Sequence, residues 1–309
     1  MLRSALVAAS RSATLERFVS NSPLSRAVVR RFVAGNGTAE AIAAITALKD
    51  KGIYSTADRL GEDTRDRAAA LATVDAYVEL LRAIGAAGLA EWAEVSVKLS
   101  AVGQALPDGG ETFALDNALT ICRVAAEVGT TVTFDMEDHT TIDSTLRILH
   151  DVRQHFPTTG GVLQAQLYRT EDDVAAHAFA GSRIRLCKGA YAEGQDVAFI
   201  ERMDIDKAYV RSMRTLLDSQ GYPMLATHDP RLIQIGQALA LRTGRGKDTY
   251  EFQMLLGVRP DEQERLVGLG HKVRVYVPYG DQWYPYLMRR MAEKPANLAL
   301  FLRSLVSRS

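Results

Sequence analysis

From Ile53 onward the chain alternates short β-branched and aromatic runs with longer stretches whose apolar positions recur every three or four residues. The β-type runs are IYSTADRL at 53–60, then 95–100, 131–135, 161–167, 183–188, 224–227, 248–252 and 272–277. Between them the helical period holds over 64–86, 113–128, 140–155, 171–180, 204–219, 231–242 and 261–268, and a last helix starts at Trp283. Ahead of the alternation, 39–51 also has the helical period and stops at Gly52, a residue suited to the left-handed cap of a helix. Roughly eight strand–helix repeats, with no Pro/Gly-rich linker among them, predict an α/β fold: a distorted, TIM-like β/α barrel with extra N-terminal helices. The expected division is an N-terminal helical segment over 1–50 and a catalytic barrel over 51–309.

A barrel of this kind collects its chemistry at the C-terminal ends of its strands. Lys98, Asp135 with Glu137 and Asp138, Gln164, Arg185 and Lys188, Thr227 with His228, and Tyr276 all fall at such ends. Any one of them alone reads as a satisfied rim residue. As a set, so many polar groups cost stability and point to a lined pocket. On the last helix Tyr286, Arg289, Arg290 and Glu293 stand at i, i+3, i+4 and i+7, so they share one face. Adjacent guanidinium groups repel unless an anion lies between them, and a small carboxylate fits because the planar forks grip it bidentately. The plainer alternative is a solvated arginine pair on an amphipathic helix.

Composition narrows the setting. Of 309 residues, 47% are hydrophobic, and Lys plus Arg equal Asp plus Glu at 37 each, so no global field draws the chain to nucleic acid. Cys122 and Cys187 lie far apart and outside any CxxC, which argues against a disulfide framework or thiolate zinc site and for a reducing, cytoplasmic setting. No apolar run is long enough to span a bilayer. The N-terminus is rich in arginine, with Arg3, Arg11, Arg17, Arg26, Arg30 and Arg31 against the single acid Glu16. That pattern suits an organellar presequence, an amphipathic helix packed on the domain, or one lying on an anionic membrane surface. The Rossmann, P-loop, zincin and nucleophile-elbow motifs are absent from the sequence. Carboxylates and an imidazole in Asp135–His139 leave a divalent metal as an alternative, although strand alternation sends neighbouring side chains to opposite sides.

Seven stretches together resemble the proline dehydrogenase family: SVKLSA at 96–101, FDMED at 134–138, LQAQLYRT, RLCKGAY at 185–191, ATHDP, EFQMLLG and YPYLMRRMAEKPAN. They run in the family's order along essentially the whole chain, at the length of its short, single-function bacterial form. The resemblance implies FAD-dependent oxidation of L-proline to 1-pyrroline-5-carboxylate, the first step of proline catabolism, with electrons passed to a membrane quinone and peripheral contact with the inner face of the cell membrane. It implies that Asp135 and Arg185 stand at the reaction centre, with Arg185 near flavin N5. Arg289, Arg290 and Lys98 hold the substrate carboxylate on this reading, and Leu255, Tyr276 and Tyr286 wall the ring. Met136, Gln164, Arg185, Lys188, Gly189, Ala190, Thr227, His228 and Glu293 form the implied flavin set, with no metal. Cys187 stands where an aliphatic residue is commoner, and Asp229 where Asn often follows ATH. Asp229 before Pro230 suits the N-cap and first position of a helix. Oxidation of hydroxyproline or another cyclic amino acid, or a catalytically silent binding barrel, remain the competing readings.

Overall fold

Eight parallel strands close on themselves in sequence order. The computed structural model describes residues 29–293, with side chains to Arg290, so the arginine-rich residues up to Arg26 and the end of the final motif lie outside the described residues. The strands are β1 Tyr54–Arg59, β2 Ala93–Val97, β3 Val132–Phe134, β4 Gly160–Gln164, β5 Arg183–Cys187, β6 Tyr222–Ala226, β7 Glu251–Leu255 and β8 Val273–Tyr279. The helices are α1 Thr38–Lys49, α2 Arg67–Ala86, α3 Gly110–Val128, α4 Ile142–Arg153, α5 Thr170–His177, α6 Arg202–Asp218, α7 Pro230–Arg242, α8 Pro260–Gly268 and α9 Trp283–Glu293.

Local chemistry explains where these elements begin. Asp66 caps α2 by accepting from the Ala69 N–H at 2.8 Å. Asp229 does the same for α7, accepting from Arg231 N at 3.1 Å, with Pro230 in the first turn where its missing N–H costs nothing. Along α4 the buried positions Ile142, Thr145, Ile148, Leu149 and Val152 recur at helical spacing and face the sheet. Strand residues such as Val95, Phe134, Leu186, Phe252 and Val275 are fully buried in the apolar clusters that the helices cover.

Among the boundaries that differ from the sequence reading, three bear on the site. The second strand ends at Val97 and passes into a 3-10 turn over Leu99–Val102, so Lys98 stands just beyond the strand. The fourth strand stops at Gln164. The seventh runs from Glu251 to Leu255 rather than over 248–252, because Thr249 folds back on Gly246 through both its N–H and its hydroxyl. Its inward residues are polar, which hides the strand from an apolar-run criterion.

The barrel departs from regular alternation at its closure. Helix α1 packs against β8 and β1 on the outside, where a helix after β8 normally belongs. Helix α9 sits instead over the strand ends, with Tyr284, Tyr286, Leu287 and Met288 packed on Phe32, Val33 and Leu60. Residues 29–34 reach the same mouth: the Arg31 side chain donates to Gly257 O after β7, and Ala34 N donates to Pro278 O. Gly257 has φ +72, and a Cβ there would meet the Arg31 carbonyl oxygen at 1.9 Å, so this close approach requires glycine.

Candidate active site

Strands β1, β2, β3, β5 and β8 turn a set of ionisable side chains into one space below α9. Asp135 follows β3 and is 9% exposed; it accepts from Arg185 Nη1 at 2.6 Å, from Ser96 Oγ at 2.7 Å and from the Tyr276 hydroxyl at 2.6 Å. Burial raises its pKa, but Arg185, Lys98 and these hydrogen bonds outweigh that and hold the carboxyl below its ordinary range. The Tyr276 phenol is driven well up by burial and by Asp135, so it remains a donor. Lys98 Nζ lies 2.7 Å from Asp58, 3.3 Å from the Tyr276 hydroxyl and 3.6 Å from Asp135. Burial works against the Lys98 cation, yet Asp58 and Asp135 prevail and keep it charged.

Arg185 supplies the most informative detail. Its Nη1 is engaged by Asp135 and Ser96 and its Nη2 stands 4.0 Å from Glu94, while neither Nη2 nor the buried Nε makes a hydrogen bond. A buried Nε–H of a guanidinium carries a penalty unless an acceptor meets it. The fit with a flavin ring, which presents nitrogen and oxygen acceptors, is chemically direct.

The arginine helix closes this space from above. Arg289 donates from Nη1 and Nη2 to the two oxygens of Glu62 at 2.6 and 3.1 Å, and its guanidinium lies 6.0 Å from the Tyr191 ring centroid. Arg290 lies 5.2 Å over the Tyr286 ring. Leu60, Gly61, Glu62, Lys98, Pro285, Tyr286 and Arg289 line a small cavity between the β1 end and α9. Leu255 is the register partner of Tyr276 and is half-buried beside it.

The remaining candidate residues occupy the next strand ends around the mouth. Gln164 donates to Glu137 O at 2.6 Å, and Met136 is buried in the barrel core. Thr227 Oγ1 accepts from Asp229 N at 3.1 Å, and His228 Nε2 accepts from Leu255 N at 2.8 Å, which puts the ring proton on Nδ1. Lys188 pairs with Asp206 and Asp229, and Gly189 and Ala190 continue as a half-buried, irregular segment after β5. The Cys187 thiol donates to Leu163 O at 3.6 Å and is pushed up to about 11, mainly by burial. Glu293 ends α9, and its side chain lies outside the described residues.

Asp58, Glu62, Ser96 and Tyr191 escaped the sequence reading. Asp58 is the one acid inside IYSTADRL and Glu62 follows it by four residues, so β1 carried the same strand-end signal that singled out the other strands. In Asp135–His139, Asp135 is committed to Arg185 and His139 to Glu193.

Comparison with known proteins follows the same lines. The family model described as proline dehydrogenase matches residues 41–301. A proline dehydrogenase of Deinococcus radiodurans is 40% identical over 281 residues, covering 90% of each chain. Proline dehydrogenase 1 of Bacillus subtilis is 35% identical over 308 residues and the full length of both. Among solved structures, proline utilization A from Bdellovibrio bacteriovorus, inactivated by N-propargylglycine, superposes with a TM-score of 0.79 at 23% identity. That match covers 92% of this chain but 33% of the longer protein, and it speaks to the fold alone.

Proposed function

The chain belongs to the proline dehydrogenase family, an oxidoreductase family, and from that premise we propose that it oxidises L-proline to 1-pyrroline-5-carboxylate with FAD as the resident cofactor. The observation that carries this reading is Arg185, held by Asp135 and Ser96 through Nη1 and approached by Glu94 at Nη2, with its buried Nε–H left without a hydrogen-bond partner. Gln164, Lys188, Gly189, Ala190, Thr227, His228 and Glu293 complete the proposed cofactor surface, with Met136 beside it.

A bound flavin would supply the two-electron acceptor for the hydride lost from C5 of proline. The protein supplies the rest. Arg289 and Arg290 receive the substrate carboxylate, and Leu255, Tyr276 and Tyr286 bound the ring. Hydride loss needs a neutral amine, whose lone pair stabilises the cation that forms. Asp58 balances Lys98 and Glu62 balances Arg289, so the cations of the site disfavour the ammonium form only once Arg289 has left Glu62 for the substrate carboxylate. Asp135 and Tyr276 fix the guanidinium of Arg185, whose charge would stabilise the reduced form of a flavin bound beside it.

We place the electron acceptor in the membrane, as a quinone reached by peripheral contact from the cytoplasmic side. Among the described residues no helix is long and apolar enough to cross a membrane. Anionic vesicles at low salt should bind the protein in a salt-sensitive way, and intact quinone reduction without any vesicle association would remove the arginine-rich N-terminus from this step.

The substrate reading is tested by separating the carboxylate from the amine. Tetrahydrofuran-2-carboxylate keeps the anion and the ring but has a far weaker lone-pair donor, so it should compete with proline and perturb the flavin spectrum without bleaching it. Pyrrolidine, with the amine and no carboxylate, should bind poorly. Equal potency of the two would show that α9 does not read a carboxylate.

A further inference from the structure

The space beneath the active site is not filled in the way barrel interiors usually are. Branched aliphatic layers are the rule there, whereas this lumen holds an alternating column of charges. Asp58 pairs with Lys98 at 2.7 Å, Lys98 with Asp135 at 3.6 Å, and Asp135 with Arg185 at 2.6 Å. The column continues downward. Arg185 Nη2 lies 4.0 Å from Glu94 Oε1, Glu94 pairs with Arg183 at 2.6 Å and stands 3.9 Å from Arg274, and Arg274 pairs with Glu251 at 2.7 Å. Four carboxylates (Asp58, Asp135, Glu94, Glu251) therefore face four cations (Lys98, Arg185, Arg183, Arg274), and all eight side chains are largely withdrawn from water.

Such a column is costly to bury, and well-packed apolar side chains would stabilise a barrel at least as well. Its arrangement around Arg185 shows what it does. That guanidinium is sandwiched between Asp135 on the active-site side and Glu94 on the far side, and the other partners of Glu94 are Thr133, Arg183 and Arg274. Glu94 is 2% exposed, anchored by the Thr133 hydroxyl at 3.0 Å. Burial raises its carboxyl, but Arg183, Arg274 and Arg185 overcome this and bring it down to about 2, so it is ionised at every working pH.

We propose that Glu94 is a positioning residue of the reaction: from beneath Arg185 it offsets part of that cation and thereby sets how strongly the site favours the reduced flavin, with Glu251 acting more weakly one step further down. This rests on the flavin reading given above. The sign follows from Coulomb's law in a low-dielectric lumen. Neutralising Glu94 leaves Arg185 less compensated, raises the positive potential where Arg185 meets the flavin, and favours the form that carries the extra electrons.

The test is a redox titration of the flavin-loaded protein as wild type, Glu94→Gln, Glu94→Asp and Glu251→Gln. Glu94→Gln should shift the equilibrium toward reduced flavin tenfold or more, which is a rise of about 30 mV for a two-electron couple. Glu251→Gln should move it the same way but less, and Glu94→Asp, which keeps the charge, should stay near wild type. A merely packing role predicts that Asp disturbs the site as much as Gln, with no common sign. A flavin-bound Glu94→Gln protein with an unchanged or lowered potential overturns the proposal. Where Glu94→Gln fails to fold or to hold flavin, the absence of any positive shift in Glu251→Gln does so. A wild-type protein that takes up no flavin contradicts the cofactor reading itself, a result distinct from an unmoved potential.

Discussion

Glu62→Gln is the sharpest perturbation the geometry offers, because Arg289 cannot serve Glu62 and a substrate carboxylate at once. The two charge-assisted hydrogen bonds at 2.6 and 3.1 Å join side chains that are 18% and 24% exposed. Hydrogen bonds to charged groups contribute about 1.5–3 kcal/mol net, and the partial exposure favours the lower end. Substrate binding therefore includes breaking a contact of that size. Glutamine keeps the shape but weakens the contact, so most of the cost disappears and affinity for a ring carboxylate rises roughly tenfold, since about 1.4 kcal/mol is a factor of ten. Stability moves the other way, because a largely buried Arg289 loses its counter-charge. The assay is an equilibrium titration with tetrahydrofuran-2-carboxylate read from the flavin spectrum, beside a thermal melt of the ligand-free protein. Unchanged or weaker binding of the analogue would refute the competition. Weaker binding of proline alone, with the oxygen analogue unaffected, would place Glu62 on the substrate amine instead.

Three further outcomes are expected. Lys188→Ala removes one of the two cations, with Arg231, that bridge Asp206 and Asp229 and should purify with much less flavin; full flavin with normal turnover would take Lys188 out of the cofactor site. Burial raises the Glu137 carboxyl from 4.5 to about 7, with the Ser100 hydrogen bonds only partly opposing it. The folded chain thus keeps a proton that the unfolded chain releases in this window, and the associated stability is fully present below pH 4.5 and lost as pH rises through 7. Glu137→Gln carries no such proton, so its stability relative to wild type should rise across that window by up to about 3 kcal/mol; urea unfolding at both ends that shows a constant difference would contradict this. Cys187, with its thiol raised to about 11, should alkylate slowly in the folded protein at neutral pH, and a rate near that of the unfolded chain would show that the thiol is open to solvent.

The order of strands and the identity of most strand-end residues were legible because parallel barrels bury one side of each strand under helices, which leaves apolar runs at regular intervals. The barrel itself and the gathering of Lys98, Asp135, Arg185 and Tyr276 at one end follow from that rhythm. The seventh strand was misplaced for the converse reason: Glu251 and Gln253 point into a charged lumen, so the strand lacks the apolar pattern that marks the others. The sequence reading places a small carboxylate between the two arginines of α9, whereas the anion that meets Arg289 here is Glu62, 227 residues away in the chain. No local spacing could have named Glu62. Likewise the periodicity of α9 marks an apolar face without saying what it covers, and only the packing of α1 in the outer slot between β8 and β1 leaves α9 to lie over the mouth.

The central claim is that this barrel holds a flavin which proline reduces. Its most direct measurement is the absorption spectrum of the purified, FAD-supplemented protein, recorded without oxygen before and after L-proline is added. Flavin bands that are present at one equivalent per chain and bleach with L-proline are the expected result. A protein that retains no flavin, or whose bound flavin stays oxidised with L-proline in excess, would contradict the account.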